Sequence, residues 1–239
     1  MVRHQQIVSH DANTFPDFVR DGSGSVAAVF RSGDRTLEIF NVDGHPIETA
    51  LGVDLLYLHE HFQAWTMVQY KVLPGGEFRP DSKFHEQLKS MRDFRACMPV
   101  TQEVASDVAG YRLCDDGFFV KFCPKNQPTG ATPDLMEGYY LPRLLVEREL
   151  QAPSSLGPKG GRRLLLGAPA RHLNNTTFTT LVREGWIGTR GIASYELKRL
   201  VRELLREKRS LVLAKSRKAG EAEDLEQTMH QLGLSSKTI

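Results

Sequence analysis

Two apolar, β-favouring runs, VDLLYLH (residues 53–59) and WTMVQYKVL (residues 65–73), are separated only by the short interval EHFQA and stopped by Pro74-Gly75-Gly76. Runs this close in sequence predict a hairpin. Alternate side chains of a strand share a face, so Trp65, Met67, Gln69 and Lys71 project together. The first two belong to a core and the last two do not. A buried lysine costs several kcal/mol unless it is paired or deprotonated, and a buried amide without partners costs about 1–3 kcal/mol. Asp54, near the start of the neighbouring strand, is placed to supply the missing charge, and Glu48 lies just upstream.

Two carboxylates, an amide oxygen and an ammonium form a hard-cation site with an attached lysine. Oxygen ligands suit Mg²⁺, which needs only one or two protein carboxylates beside phosphate oxygens of a substrate. A cation there can lower the pKa of a water and polarise a phosphoryl oxygen, while a lysine neutralises charge on phosphorus. The chemistry implied is phosphodiester hydrolysis. The competing structural account is a half-exposed hairpin, with Gln69 and Lys71 on its solvent face and Asp54 near a turn.

Around this hairpin the chain alternates strand and helix signals. SVAAVF and TLEIFNV flank the turn RSGDR and predict a hairpin over residues 25–42. In DGHPIETALG, Pro46 suits a first helical turn and Gly52 a helix stop, so one or two turns should carry Glu48. DSKFHEQLKSMRDF places Phe84, Leu88 and Met91 on one helical stripe. GYRLCDDGFFVKFCP is expected to form two short strands about Asp115-Asp116-Gly117, residues 124–134 a loop, and YYLPRLLVEREL a helix with Pro142 near its start. QAPSSLGPKGGRR is the clearest flexible joint and sets the expected boundary between a unit over 1–150 and another over 151–239. Beyond it, NNTTFTTLVREGW and the segment from Ser194 predict two helices, with Trp186 as an anchor between them.

The residues G52-V53-D54-L55-L56 followed by V68-Q69-Y70-K71 resemble the core motif of the PD-(D/E)xK, or restriction-endonuclease-like, nuclease superfamily, in the Mrr-type variant with Gln at the second acidic position. The resemblance spans roughly residues 25–123 and implies an α/β fold with a mixed central sheet flanked by helices. It implies that Asp54 binds metal, that Gln69 occupies the position usually held by Glu or Asp, that Lys71 is the catalytic lysine and that the backbone carbonyl of Tyr70 is a further metal ligand. Glu48 corresponds to the acid many members carry on the preceding helix, with Glu38 as its competitor. Val53 stands where the motif's name has proline. Mg²⁺ is the implied cofactor, with Mn²⁺ as a substitute, and DNA the implied substrate. A bacterial or phage setting in restriction, defence or repair, and a homodimer that cuts both strands, are implied by the resemblance alone.

Overall charge does not announce a nucleic-acid binder, because 31 Lys and Arg nearly cancel 29 Asp and Glu. Local charge is more informative. Lys83, Lys89, Arg92 and Arg95 accompany the helix after the hairpin, and Arg190 sits in a glycine-rich turn. From Ser194 to Lys218 nine Lys or Arg stand against three Glu, and Leu197, Leu200, Val201, Leu204 and Leu205 form a helical stripe. Lys83, Arg92, Arg190, Arg199, Arg202 and Arg206 are thus the expected phosphate contacts. The C-terminal lobe reads as a basic helical unit of winged-helix type or as a buttress of the core.

HEH at residues 59–61 lacks the i, i+4 spacing of a helical zinc site and reads as an exposed turn. His85 and Glu86 read as solvated. Three cysteines without C-x-x-C spacing suggest neither disulfides nor thiolate zinc, and no run of about 18 apolar residues occurs. A cytoplasmic, membrane-free setting is expected. The chain has no phosphate-binding glycine loop, so any ATPase would be a separate subunit. The alternatives are a non-catalytic DNA-binding protein with a degenerate nuclease fold, and an RNA nuclease of the same fold.

Overall fold

The computed structural model describes residues 3–23, 27–98, 108–114, 116–125, 133–165, 171–190, 197–199 and 201–202. Gly33, at φ 60°, turns strand β2 (Ala28–Ser32) into β3 (Arg35–Asn41), the expected first hairpin. A turn at Gly44 leads to helix α2 (Pro46–Leu51), whose N-cap His45 accepts the Ile47 amide and whose C-cap Gly52 is left-handed. The second hairpin follows as β4 (Leu55–His59) and β5 (Ala64–Leu73). Helix α3 (Ser82–Cys97) is capped by Asp81, whose side chain accepts the Phe84 amide.

β1 (Val19–Ser23), β7 (Phe118–Pro124) and β8 (Tyr139–Pro142) complete a seven-stranded sheet in the order β1-β2-β3-β4-β5-β7-β8. Every pair is antiparallel except β5 with β7, so the sheet is mixed. The parallel step requires a crossover, and α3 supplies it. Helices cover both faces, making the protein α/β. On one face Ile47, Leu51, Phe84, Met91 and Val146 pack on Phe40, Leu56, Trp65 and Met67. On the other, Ile7 and Val8 of α1 (His4–Asp11) and Phe178 of α5 (Asn175–Arg183) pack on Leu55, Tyr57, Val68 and Tyr70. Each large apolar side chain buried this way contributes about 1.5–3 kcal/mol. Among the described residues no helix is long and apolar enough to cross a membrane.

Three local expectations change. Among the described residues, 111–114 form no strand beside β7, which already pairs on both sides with β5 and β8; Leu113 and Cys114 instead bond residues 186–188, with an isolated bridge from Cys114 to Ile187. Residues 139–142 are a strand rather than the start of a helix, and α4 (Arg143–Gln151) begins directly after Pro142, which lacks an N–H to continue the ladder. Trp186 is 43% exposed and meets the Tyr111 ring edge-on rather than being a buried anchor, and most of the second helix expected beside it lies outside the described residues.

The joint at residues 151–163 contains a single 3₁₀ turn, and the chain then returns to the body of the fold. β9 (Leu164–Leu165) pairs with β6 (Glu77–Phe78), Leu173 bridges Tyr140, and Phe178 stacks on Tyr140 at 3.8 Å. Leu197 and Val201 also enter the core. Arg206 and the rest of the expected winged-helix segment from residue 203 onward lie outside the described residues.

Candidate functional site

The strand register brings the site together. Leu55 pairs with Val68, and the Asp54 amide bonds the Val68 carbonyl at 2.9 Å, which sets Asp54 opposite Gln69. Asp54 is fully buried, and its Oδ2 accepts from the Tyr70 amide at 2.7 Å and from Gln69 Nε2 at 2.6 Å. The carboxylate thus replaces a backbone carbonyl as partner of Tyr70 just before β4 begins. Satisfying that amide explains one oxygen only. Asp54 Oδ1 is buried without a hydrogen-bond partner, and so is Gln69 Oε1. Buried oxygens of this kind are expensive, and with carboxylates close by they could help to hold a cation.

Further carboxylates surround it. Oxygens of Asp43, Glu48 and Asp54 all lie within 4.8 Å of one another. Glu48 is held by the Gly44 amide at 2.7 Å, with Lys83 Nζ at 3.5 Å from its other oxygen. Burial and then the neighbouring Asp54 charge raise the Asp43 pKa, as expected for a partly buried acid beside a like charge. From the opposite side, His4 Nε2 stands 3.3 Å from Asp54 Oδ2 and 3.2 Å from the Tyr70 carbonyl, and the hydrogen bond to Asp54 raises its pKa. Gln69 Nε2 also donates to the Tyr70 carbonyl, at 3.1 Å.

Lys71 shares the Gln69 face and reaches α3, where Nζ donates to Gln87 Oε1 at 2.6 Å and lies over the Phe84 ring at 5.2 Å. Burial lowers its pKa, partly opposed by Asp54. The half-exposed hairpin account therefore does not describe Gln69, which is 1% exposed, or Asp54. Gly52 completes the geometry: in its left-handed conformation a Cβ would run into the Gln87 carbonyl, so only glycine lets α2 approach α3 this closely.

Asp54, Gln69, the Tyr70 backbone and Glu48 lie together, while Lys71, on the Gln69 face, bonds Gln87 and feels Asp54 only as a neighbouring charge. Glu38 is not part of the group: it pairs with Leu58, four residues along β4 from Asp54, or about 13 Å at strand rise. Its carboxylate is instead held by Arg202 at 2.7 Å and Lys198 at 3.2 Å. Among the described residues, Lys83 alone of the expected phosphate contacts stands beside the carboxylates. Arg92 lies 3.9 Å from Glu147, Arg190 donates to the Arg112 carbonyl, and Arg202 is spent on Glu38. Arg199 is exposed.

Three site residues escape the sequence reading. Asp43 passes for a turn residue before Gly44. Gln87 interrupts the apolar stripe of Phe84, Leu88 and Met91, which is a usable signal. His4 lies on a helix the sequence reading does not identify. His59, expected in an exposed turn, is 1% exposed at the end of β4; burial lowers its pKa to about 4. His85 and Glu86 are exposed as expected.

Beneath the site, on the other side of Tyr70, lies a second buried group. Lys121 Nζ, wholly enclosed, donates to Asp11 Oδ2 and to the Met136 carbonyl, both at 2.6 Å. The Tyr70 hydroxyl donates to the same Asp11 oxygen at 3.0 Å. Comparison with known proteins adds no relative: no family model, no curated protein and no solved structure matches this chain.

Proposed function

We propose that this chain is a metal-dependent nuclease that hydrolyses DNA phosphodiester bonds, with a restriction-endonuclease-like core. The observation that carries the proposal is the pairing of an unsatisfied buried carboxylate oxygen on Asp54, amid Asp43 and Glu48, with a lysine of depressed pKa on the next strand. The order β3, β4, β5, α3, β7, with β7 parallel to β5, supports the fold by matching the meander, helix and strand that the resemblance implies.

Asp43, Glu48 and Asp54 would hold the cation. A divalent ion bound there supplies a water of lowered pKa and a counter-charge for phosphoryl oxygens. The chain's own residues do the rest. Gln69, beside Asp54 on the facing strand, positions that carboxylate towards the cation. Gln87 orients Lys71, whose ammonium donates to a non-bridging phosphoryl oxygen as charge accumulates on phosphorus. Lys83, with a mostly exposed side chain beside Glu48, meets the incoming phosphodiester. The water oxygen bonds to phosphorus and gives up a proton; the opposite P–O bond breaks, and the leaving oxygen takes a proton.

Supercoiled plasmid incubated with the protein and Mg²⁺ is expected to be nicked, with nicking abolished by EDTA and in Asp54→Ala and Lys71→Ala. DNA retention by the wild type without cleavage would favour a non-catalytic binder, and selective loss of a labelled RNA an RNA nuclease. Uncleaved DNA and RNA in Mg²⁺ and Mn²⁺ alike would remove the proposal.

A further inference from the structure

We infer that His4 is itself a ligand of the cation at the Asp54 site, through Nε2, making the centre a mixed nitrogen and oxygen site that takes Mn²⁺ in preference to Mg²⁺. This rests on the site being a metal centre, and does not require that the metal cleave DNA.

The spacing is the first ground. Neighbouring ligands around an octahedral ion with bonds of about 2.1 Å stand about 3 Å apart. His4 Nε2 lies 3.3 Å from Asp54 Oδ2 and 3.2 Å from the Tyr70 carbonyl, both close to that spacing. The second ground is independent of the carboxylate cluster. The Gln69 amide is nearly wholly buried, donates through Nε2 to both Asp54 and the Tyr70 carbonyl, and leaves Oε1 without a partner. A cation at this point takes over from Nε2 as the partner of Asp54 Oδ2 and the Tyr70 carbonyl, and the amide, turned over, offers it Oε1.

The third ground is how the imidazole is held. His4 and Asp11 are seven residues apart on α1, two helical turns along one stripe with Ile7 and Val8. Both ends of that stripe are fastened to one residue, Tyr70: His4 to its carbonyl, Asp11 to its hydroxyl. Asp11 is fixed further by the buried Lys121. A ligand held on a rigid, pinned helix is preorganised. The His4 side chain is 35% exposed, so its ring is not there to fill the core. Ligation uses the Nε2 lone pair and leaves the ring's proton on Nδ1. Imidazole suits transition metals, whereas Mg²⁺ keeps to oxygen and water, and this sets the preference.

The test uses the full chain and Mn²⁺ as probe. Electron spin echo modulation of bound Mn²⁺ should show a coordinated imidazole nitrogen, and that coupling should vanish in His4→Ala. Calorimetric Mn²⁺ affinity should fall at least about tenfold in His4→Ala, since even an outer-shell partner of a ligand is worth that much. Mg²⁺ affinity should change less. Asp54→Asn should remove the bound Mn²⁺, and thermal melts should show both variants folded. Absence of nitrogen coupling in the wild type, its survival in His4→Ala, or failure to find Mn²⁺ that Asp54→Asn removes would each overturn the inference. Plasmid cleavage in the same samples separates the two proposals. Nitrogen coupling without cleavage keeps the His4 ligand and removes the nuclease; cleavage without nitrogen coupling does the reverse.

Discussion

Removing the Asp11 carboxylate is the sharpest perturbation of this fold. Asp11→Ala strands the Lys121 ammonium with one carbonyl, that of Met136, and the faces of Tyr70 and Tyr140 at 5.4 and 4.8 Å. It also takes the acceptor from the Tyr70 hydroxyl and from the Met136 amide, which bonds Asp11 Oδ1 at 2.8 Å. Breaking a fully buried ion pair from one side costs about 3–5 kcal/mol, and the cation–π contacts return only part of that. We expect a loss of about 4 kcal/mol, read as a lower midpoint in urea at unchanged slope. In a chain of this size that corresponds to a fall in Tm of roughly 10–15 °C. The double variant Asp11→Ala/Lys121→Met should recover much of the loss, because it removes the stranded charge and fills the space with a side chain of similar length. Additivity of the two single substitutions, to within about 0.5 kcal/mol, would refute the account of the pair as a coupled buried unit.

Other expectations follow from single observations. Gly52→Ala imposes a side chain at φ 72° against the Gln87 carbonyl, and should cost about 1–3 kcal/mol while lowering cleavage beyond the loss of folded protein, because Gln87 moves off Lys71. Gln87→Leu should leave the fold stable to thermal melting but reduce plasmid nicking by about one to two orders of magnitude, short of Lys71→Ala. His59 has a folded pKa of about 4 against 6.5 when free. Its neutral form is favoured in the fold, so stability is undiminished above pH 6.5 and falls as the pH drops towards 4, where the unfolded chain alone takes the proton. The penalty approaches about 3 kcal/mol and should disappear from the pH profile of His59→Phe. Gly138 borders the Lys121 stem, so Gly138→Ala should destabilise by about 1–3 kcal/mol in urea titration.

Local chemistry makes much of the frame legible. Turn residues and alternation give both hairpins, and Pro46, the stripe of Phe84, Leu88 and Met91, and the capping Asn and Thr residues at 174–177 give α2, α3 and α5. Within the site, the strand parity that sends Gln69 and Lys71 to one face identifies the polar group before any tertiary contact is known. Parity fails where a segment's fate depends on what is already paired. YYLP is β8 because β7 offers a free edge, and residues 111–114 find none. The reasoning that singles out Lys71 applies equally to Lys121 in FFVKFC, and it is Lys121 that the fold encloses completely. Its counter-ion lies 110 residues away, beyond the reach of any local pattern.

By itself, the sequence determined that Asp54 meets Gln69 and that Lys71 shares the Gln69 face, since register and side-chain alternation act over a few residues. Only tertiary structure decided which other groups join them. His4 arrives on α1 and Gln87 on α3 because those helices pack on opposite faces of the same sheet, while Glu38 is drawn away to Arg202 and Lys198. Burial in three dimensions chooses among acids that look equivalent along the chain, because the cost of an unpaired charge is set by what surrounds it and not by its place in the sequence.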